Sequence, residues 1–474
     1  MASPNITFDQ IPASIRKPGK YFEFNTKLAV RTLPANAQRV LIIAQKLASG
    51  TVAELVPTQV FSDAEAAAYF GAGSVAHLMV RAAIKAYPYL DLSVVALADA
   101  TNAPVAATGT VTITGPATSS GEIDLYIGNR MISVGIESGD AATDIAAALN
   151  TEVGKYADLP VTAAALNGVI TLTAKHKGTL GNQIPLSAEV TAAGVAAAVV
   201  AMANGAVDPD VEGALSAIFP ADYTSVVTPY NTQTPLVSVR DHLDNVSGPL
   251  EQRGCIGIYA TTGLFAAAST LAGQVNAGRI GAPYLRGTRS LPYEVAAAYA
   301  AVVASEEDPA RPLNTLELKG IHAPATADRL GRTEQESLLY NGVTPLEVGP
   351  GEKVQIVRAI STYVHDPQGI DDISLLDLTT IRTLDYVRKA CRERISLRFP
   401  REKLSSKTPK KVRSELLDVL IKLEELEIIE EVDANKDGLL VERDTQDPNR
   451  CDAKIPADVV NGMHVFAGRI DLLL

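Results

Sequence analysis

The sequence predicts a multidomain chain of mixed class. An α/β sheet domain carries an inserted β-rich domain and is followed by a C-terminal α+β domain, with extended arms at both ends. Three observations predict it. Short, continuously apolar runs alternate with helical patterns in two separated stretches, the signature of a largely parallel sheet covered by helices. The stretch between them switches to two-residue alternation punctuated by turn signals. Beyond about Pro312 the composition shifts toward charge. A length of 474 residues suits several well-filled cores. The reading divides the chain into an arm over 1–28, an α/β domain over 29–102 and 207–311, an insertion over 103–206, and a C-terminal domain over 312–474 closing on a strand over 464–474.

The elements follow in order. Pro4, Pro12 and Pro18 disfavour helix in the first segment, so it reads as extended. Ile6, Phe8, Ile11, Ile15, Tyr21, Phe22 and Phe24 give it apolar anchors that it is too short to bury alone. "RVLIIAQ" and "LDLSVVALAD" read as buried strands. The helices between them are "DAEAAAYF", N-capped by Ser62 or Asp63, and "GSVAHLMVRAAIKAYP", stopped by Pro88. "EIDLYIGNRMISVGI" is a hairpin signal, two alternating runs joined at Gly128-Asn129. "GVITLTAKHKGTLGN" reads as a further strand of the insertion, and "VTAAGVAAAVVAMANGA" returns the chain to the main domain. "YTSVVTPY" and "GCIGIYA" resume the strands, and "PYEVAAAYAAVVAS" reads as helix. "GEKVQIVRAISTYV" is a strand or hairpin arm. "DISLLDLTTIRTLDYVRKACRERISLRFP" reads as one long helix, and "TPKKVRSELLDVLIKLEELEIIEEV" as a second with Thr408 as N-cap and Pro409 at its first position. "GMHVFAGRIDLLL" alternates like a strand and presents Val465, Phe466, Ile470 and Leu472.

Composition narrows the function. The chain is 47% hydrophobic, 5% aromatic and free of Trp. Its net charge of −12 opposes direct nucleic-acid binding, which needs a basic field against phosphate. Cys255, Cys391 and Cys451 are too few and scattered for a disulfide framework or zinc site, which fits synthesis in a reducing cytoplasm. The N-terminal segment lacks an apolar signal core, and the Ala-rich run near Ala192–Ala203 is too short to span a bilayer, so no membrane insertion is expected.

The motifs that suggest chemistry each lack their context. "DANKDGLLVERD" (Asp433–Asp444) carries Asp433, Asn435, Asp437 and Gly438 at calcium-loop spacing. A calcium hand also needs an exiting helix and a bidentate Glu at position twelve, where Asp444 stands. It therefore reads as a polar turn, with Gly438 at positive φ. "GAGSVA" (Gly71–Ala76) matches a dinucleotide fingerprint but follows a helix rather than a strand, so it reads as a helix–helix turn, and Asp91 does not rescue it. None of His77, His176, His242, His322, His365 and His464 sits in a hydrolase motif; Asp241–His242 reads as a surface helix start. No catalytic residue, metal or cofactor is expected.

Charge patterning is more telling. Between Arg382 and Arg413 twelve basic residues face only Asp385, Glu393 and Glu402, a net of +9, and an acidic stretch from Glu415 to Glu431 follows. The two runs read as solvated helix faces that partly neutralise each other or as a docking surface for an acidic protein, with a nucleic-acid patch third because aromatics are missing apart from Tyr386 and Phe399.

Three stretches in order carry a resemblance: "AAAYFGAGSVAHLMVRAAIKAYPYLDLSVVAL", "DPARPLNTLELKGI", and "YNGVTPLEVGPGEKVQIVRAISTYVHDPQGIDDISLLDLTTIRTLDYVRKACRERI". Together with the β-rich insertion they resemble the tail sheath proteins of Mu-like contractile-tailed bacteriophages. The resemblance implies a structural subunit of the virion, not an enzyme, assembled in the host cytoplasm. It implies stacked hexameric rings of the chain around a tail tube protein, ends bounded by baseplate and tail terminator proteins, and contraction that drives the tube through the host envelope. It also implies an outward insertion, a tube-proximal C-terminal domain and exchanged arms. On that footing the tube-facing candidates are Arg388, Lys389, Arg392, Arg394, Arg398, Arg401 and Lys403. The same part in a phage-tail-like bacteriocin or injection system has the same sequence signature. A hydrolase on the α/β domain and a receptor-binding or decoration protein are the competing classes.

Overall fold

The computed structural model describes residues 17–22 and 33–473. Ile6, Phe8, Ile11, Ile15 and Phe24 of the expected arm lie outside the described residues. Among those described, the central element is a six-stranded sheet in the order Ile280–Gly281, Ile256–Ile258, Ser225–Val227, Arg39–Gln45, Asp91–Leu97, Pro57–Gln59. The first five strands run parallel, and Pro57–Gln59 closes one edge antiparallel. Arg39–Gln45 and Asp91–Leu97 are buried after their first residue, as a strand covered on both faces must be.

Helix Pro292–Ser305 lies inside the core: only Glu294 and Ser305 escape full burial. Its apolar residues run all round the axis, which is why it cannot sit at a surface. Its alanines keep its girth small, and helix Val75–Ala86 packs against it. "GAGS" makes the tight turn between Asp63–Phe70 and Val75–Ala86. Ser62 caps the first helix through Glu65 N–H and Ser74 the second through His77 N–H. Gly73 sits at φ +78°, and a Cβ there would lie 2.2 Å from the Leu159 carbonyl oxygen. Gly73→Ala is therefore expected to cost about 2 kcal/mol through strain and clash together, read as a lower denaturant midpoint with unchanged slope.

Between the bridge partners Val105 and Ala206 the chain forms two antiparallel sheets and one helix. One sheet runs Ala196–Ala203, Ala106–Thr114, Val169–Lys177, Val161–Leu166, and the other Arg130–Ile136, Gly121–Ile127, Leu186–Val190. The hairpin at Gly128-Asn129 is present in register, Ile127 opposite Arg130, with Gly128 at φ +55°. Helix Ala142–Gly154 covers this region with Ile145, Leu149 and Val153. The core is continuous from here into the main sheet and on through Leu313, Leu346, Val354 and Ile356. The expected change of unit at 312 thus does not coincide with a change of core.

A second core does form further on. It gathers Tyr386, Val387, Ala390 and Cys391 from helix Leu378–Arg398, Leu416, Val419, Leu420 and Leu423 from helix Thr408–Glu425, and Ile428, Ile429, Val432 and Leu439 after it. The first helix belongs to both cores, since Leu378 and Ile381 pack into the main one. It starts later than the sequence pattern suggests. Asp372 accepts from Ser374 N–H and Tyr363 O–H, and Asp377 takes both guanidinium donors of Arg358 at 2.8 and 2.7 Å. Carboxylates occupied in this way hold the preceding stretch in turns. Thr408 is the first helical residue rather than the cap; its hydroxyl donates to the Lys403 carbonyl and closes the loop before it.

The strand expected over 464–474 is not formed in the described residues. The final strand is Asp458–Val459, paired with Ile429–Glu430. A strand needs a ladder partner, and beyond Val460, which donates to the Ile428 carbonyl, residues 461–473 pair with no strand among the described residues.

Candidate assembly surfaces

The groups that could carry chemistry serve packing instead. His77 accepts from Gly73 N–H through Nδ1 at 3.0 Å and meets Asp63 through Nε2 at 3.0 Å, so it fastens the helix turn. His176 pairs with Asp99, which also accepts from Gln45, tying the inserted sheet to the end of strand Arg39–Gln45. Burial pushes the Cys255 thiol up, away from the reactive thiolate. Among the described residues no three His, Cys, Asp or Glu side chains converge as metal ligands, and no helix is long and apolar enough to cross a membrane.

Asp241 and His242 lie in the middle of helix Gln233–Ser247, not at its start. Asp241 pairs with Arg240, and His242 packs on Phe219. Burial, and then Arg253, pull the His242 pKa down to about 4. The unfolded imidazole takes up its proton near pH 6.5, so this contribution is complete above that pH and is lost as pH falls from about 6.5 toward 4. His242→Gln is expected to remove about 2 kcal/mol of acid destabilisation in that window, read by comparing melts of both proteins across it.

The Asp433–Asp444 loop does not gather its carboxylates. Asp433 pairs with Lys436, while Asp444 accepts from Gln446 and Asp447 N–H. The positive φ expected at Gly438 falls instead on Glu427 and Glu431, at 55° and 53°, because a short helical turn over Val432–Asn435 and Lys436–Gly438 carries the chain round.

The basic run is largely structural. Arg382 is buried and donates to the Glu306 carbonyl at 2.6 Å; burial pulls its pKa down to about 10 against the opposing field of Glu306 and Asp308. Arg388 holds the Ser247 carbonyl and Asp385, and Asp385 also binds Arg279. Lys389 and Arg392 donate to the carbonyls of Ala35 and Gln252. Arg394 is a correction among the surface candidates: its side chain is 3% exposed and pairs with Asp418 at 2.6 Å and Glu415 at 3.2 Å. Arg398 reaches Glu415 as well. The acidic run thus neutralises much of the basic one across the helix pair. Of the seven candidates, Arg392, Arg401 and Lys403 remain on the surface, the last two without ion pairs among the described residues.

Exposed apolar side chains such as Tyr89, Leu250 and Leu264 are scattered along the chain, but they cluster in sequence at the ends of the described residues. Phe22 is 88% exposed, Val465 82%, Phe466 84%, Ile470 99% and Leu472 83%; Tyr21 is exposed as well. His464 fixes the root of the tail, within 3.0 Å of Asn314 and 3.6 Å of Asp377. Strands Leu440–Arg443 and Cys451–Lys454 form a two-stranded sheet with no third strand among the described residues. Beside it opens a groove of about 670 Å³ lined by Val387, Ile395, Phe399, Val412, Val441 and Ala453. This groove has no local sequence signature, because it depends on how two helices and a hairpin meet. The tail does have one, the apolar alternation at 464–472.

Uncovered apolar segments and a hairpin without a third strand among the described residues are features of a chain that offers surfaces for assembly. The chain belongs to the phage tail sheath family. It is 34% identical over 491 aligned residues to the Mu-like prophage FluMu tail sheath protein of Haemophilus influenzae, covering 99% of this chain and all of that one. Residues 204–362 match the phage tail sheath protein central domain, and residues 371–472 match the phage tail sheath C-terminal domain. The fold is shared with the sheath tail protein of Desulfitobacterium hafniense (TM-score 0.50, 14% identity, 90% of this chain and 93% of that one). It is shared equally with that of Listeria innocua (0.50, 13%, 91% and 94%). A chain of the anti-feeding prophage baseplate is similar at TM-score 0.51, with 10% identity, 97% of this chain and all of that one.

Proposed function

We propose that this sheath protein polymerises as stacked hexameric rings around a tail tube and contracts to drive the tube through the host envelope. The observation that carries the reading is the apolar tail at 465–472, uncovered in the described structure, together with a hairpin that has no third strand among the described residues. A two-stranded sheet is marginal in water, and an added strand satisfies its open backbone groups while alternate side chains enter the groove. Arms contributed by neighbouring copies meet that need. They hold subunits together while the rigid bodies move. The division into arms, an α/β domain, an outward insertion and a tube-proximal C-terminal domain belongs to the same proposal. So do the baseplate and terminator as end partners, and assembly in the host cytoplasm before incorporation in the virion. The likeness to a chain of the anti-feeding prophage baseplate keeps a second reading in play, the same part in a phage-tail-like injection machine.

The tube-facing surface is assigned to Arg392, Arg401 and Lys403, the candidates left exposed. Arg401→Glu with Lys403→Glu is expected to weaken sheath–tube association about tenfold while leaving the melting temperature unchanged. Wild-type association should also weaken with salt, because exposed charges are screened over roughly 10 Å at ~0.1 M. Co-sedimentation with tube protein across a salt series checks both; an unaltered, salt-insensitive association contradicts the assignment.

A further inference from the structure

Helix Thr408–Glu425 has charges at both ends that its own chain does not use. At its start Lys407 and Lys410 are exposed, and among the described residues their side chains have neither an ion pair nor a hydrogen bond; Lys411 alone is engaged, by Glu402. At its last residue and beyond, the side chains of Glu425, Glu427, Glu430 and Glu431 are exposed and equally unengaged among the described residues. Both clusters oppose the helix macrodipole, which favours anions at the N-terminus and cations at the C-terminus. They therefore work against the helix that carries them. The helix has 18 residues, which at the α-helical rise separates the two clusters by about 27 Å, well beyond the ~10 Å screening length. Within one copy neither cluster can relieve the other.

Each cluster also has an apolar neighbour. Ile421 is 44% and Leu426 56% exposed beside the acidic end. Phe399 and Leu404 line the groove with Thr408 beside the basic end. Apolar centres rimmed by charge are the anatomy of a protein interface.

We infer that the basic start of this helix docks on the acidic end of the same helix in a second copy. A second copy is the occupant because the two clusters are complementary and ride on one element, so the partner surface is present on every subunit. The chain as a whole carries −12, so copies repel on average and a local attraction is needed to set their orientation. A head-to-tail contact of this kind is heterologous and generates rings or helical filaments rather than closed dimers. The inference rests on the sheath reading only for what the contact builds. It uses Lys407 and Lys410, not the residues assigned to the tube.

The test is self-association of the full chain without tube protein, followed by sedimentation velocity and electron microscopy. Lys407→Glu with Lys410→Glu, and separately Glu427→Lys with Glu430→Lys, should each weaken association about tenfold, with unchanged far-ultraviolet circular dichroism and melting. The four changes combined reverse the polarity of the contact and should restore association to within about threefold of wild type, as should an equimolar mixture of the two double variants. Two results overturn the inference: folded double variants that associate like wild type, and a folded quadruple variant that stays as weak as its parents. Wild-type oligomers that respond to these reversals without forming tubes would contradict the sheath reading and leave the head-to-tail contact standing. A wild-type chain monomeric at its highest soluble concentration contradicts both.

Discussion

Removing residues 1–27 is expected to leave a folded, soluble protein that forms no tubes. The described body begins at residue 33 with its own attachments. Leu33 packs against the second core, Tyr386 O–H donates to the Pro34 carbonyl at 2.9 Å, and Lys389 holds the Ala35 carbonyl. None of these contacts is touched by the deletion, so the melting temperature should change little. The lost residues include Ile6, Phe8, Ile11, Ile15, Tyr21, Phe22 and Phe24, apolar anchors suited to another subunit's strand edges. Deleting Gly468–Leu474 should act the same way. The described part of that segment pairs with no strand among the described residues, so stability again holds while assembly fails. Melting curves and negative-stain images of each deletion check this. Normal striated tubes from the N-terminal deletion would contradict arm exchange.

The second large effect is on stability. Arg394 lies between helices Leu378–Arg398 and Thr408–Glu425, binding Glu415 and Asp418 with its side chain 3% exposed. Replacing it with Ala removes one partner of a buried cluster and leaves two carboxylates facing the cavity. Loss of one member of a fully buried pair costs 3–5 kcal/mol as a general magnitude, roughly. Here Arg398 still reaches Glu415, Lys422 still reaches Asp418, and both carboxylates are partly exposed, which lowers the cost. Arg394→Ala is therefore expected to destabilise by about 3 kcal/mol. Denaturant titration measures it. A change within about 0.5 kcal/mol would show that the helix pair is held by its apolar contacts alone.

Much of the fold was legible because local signals agreed. The buried strands Arg39–Gln45 and Asp91–Leu97, the capped helices joined by "GAGS", and the hairpin at Gly128-Asn129 each announce themselves within a dozen residues. The Ala-rich run at Ala196–Ala203 did not, since Ala carries no period and its strand exists through pairing with Ala106–Thr114. The late start of helix Leu378–Arg398 depends on Arg358 and Tyr363 capturing Asp377 and Asp372, contacts between elements that no window contains. The same limit governed the surfaces. Charge counting found the basic run, but which of its members face solvent is decided by Glu415 and Asp418 on the next helix. The tail at 464–472 is apolar and alternating, yet alternation marks a strand only where a partner exists, and among the described residues there is none.

The central claim is that this chain is a subunit of a polymer that contracts. Electron microscopy of the purified full-length protein tests it most directly. The account predicts striated tubes with six-fold end views, and, on co-assembly with tube protein, two forms of differing length and width. Particles that remain discrete monomers or small closed oligomers at every concentration, with or without tube protein, would contradict it.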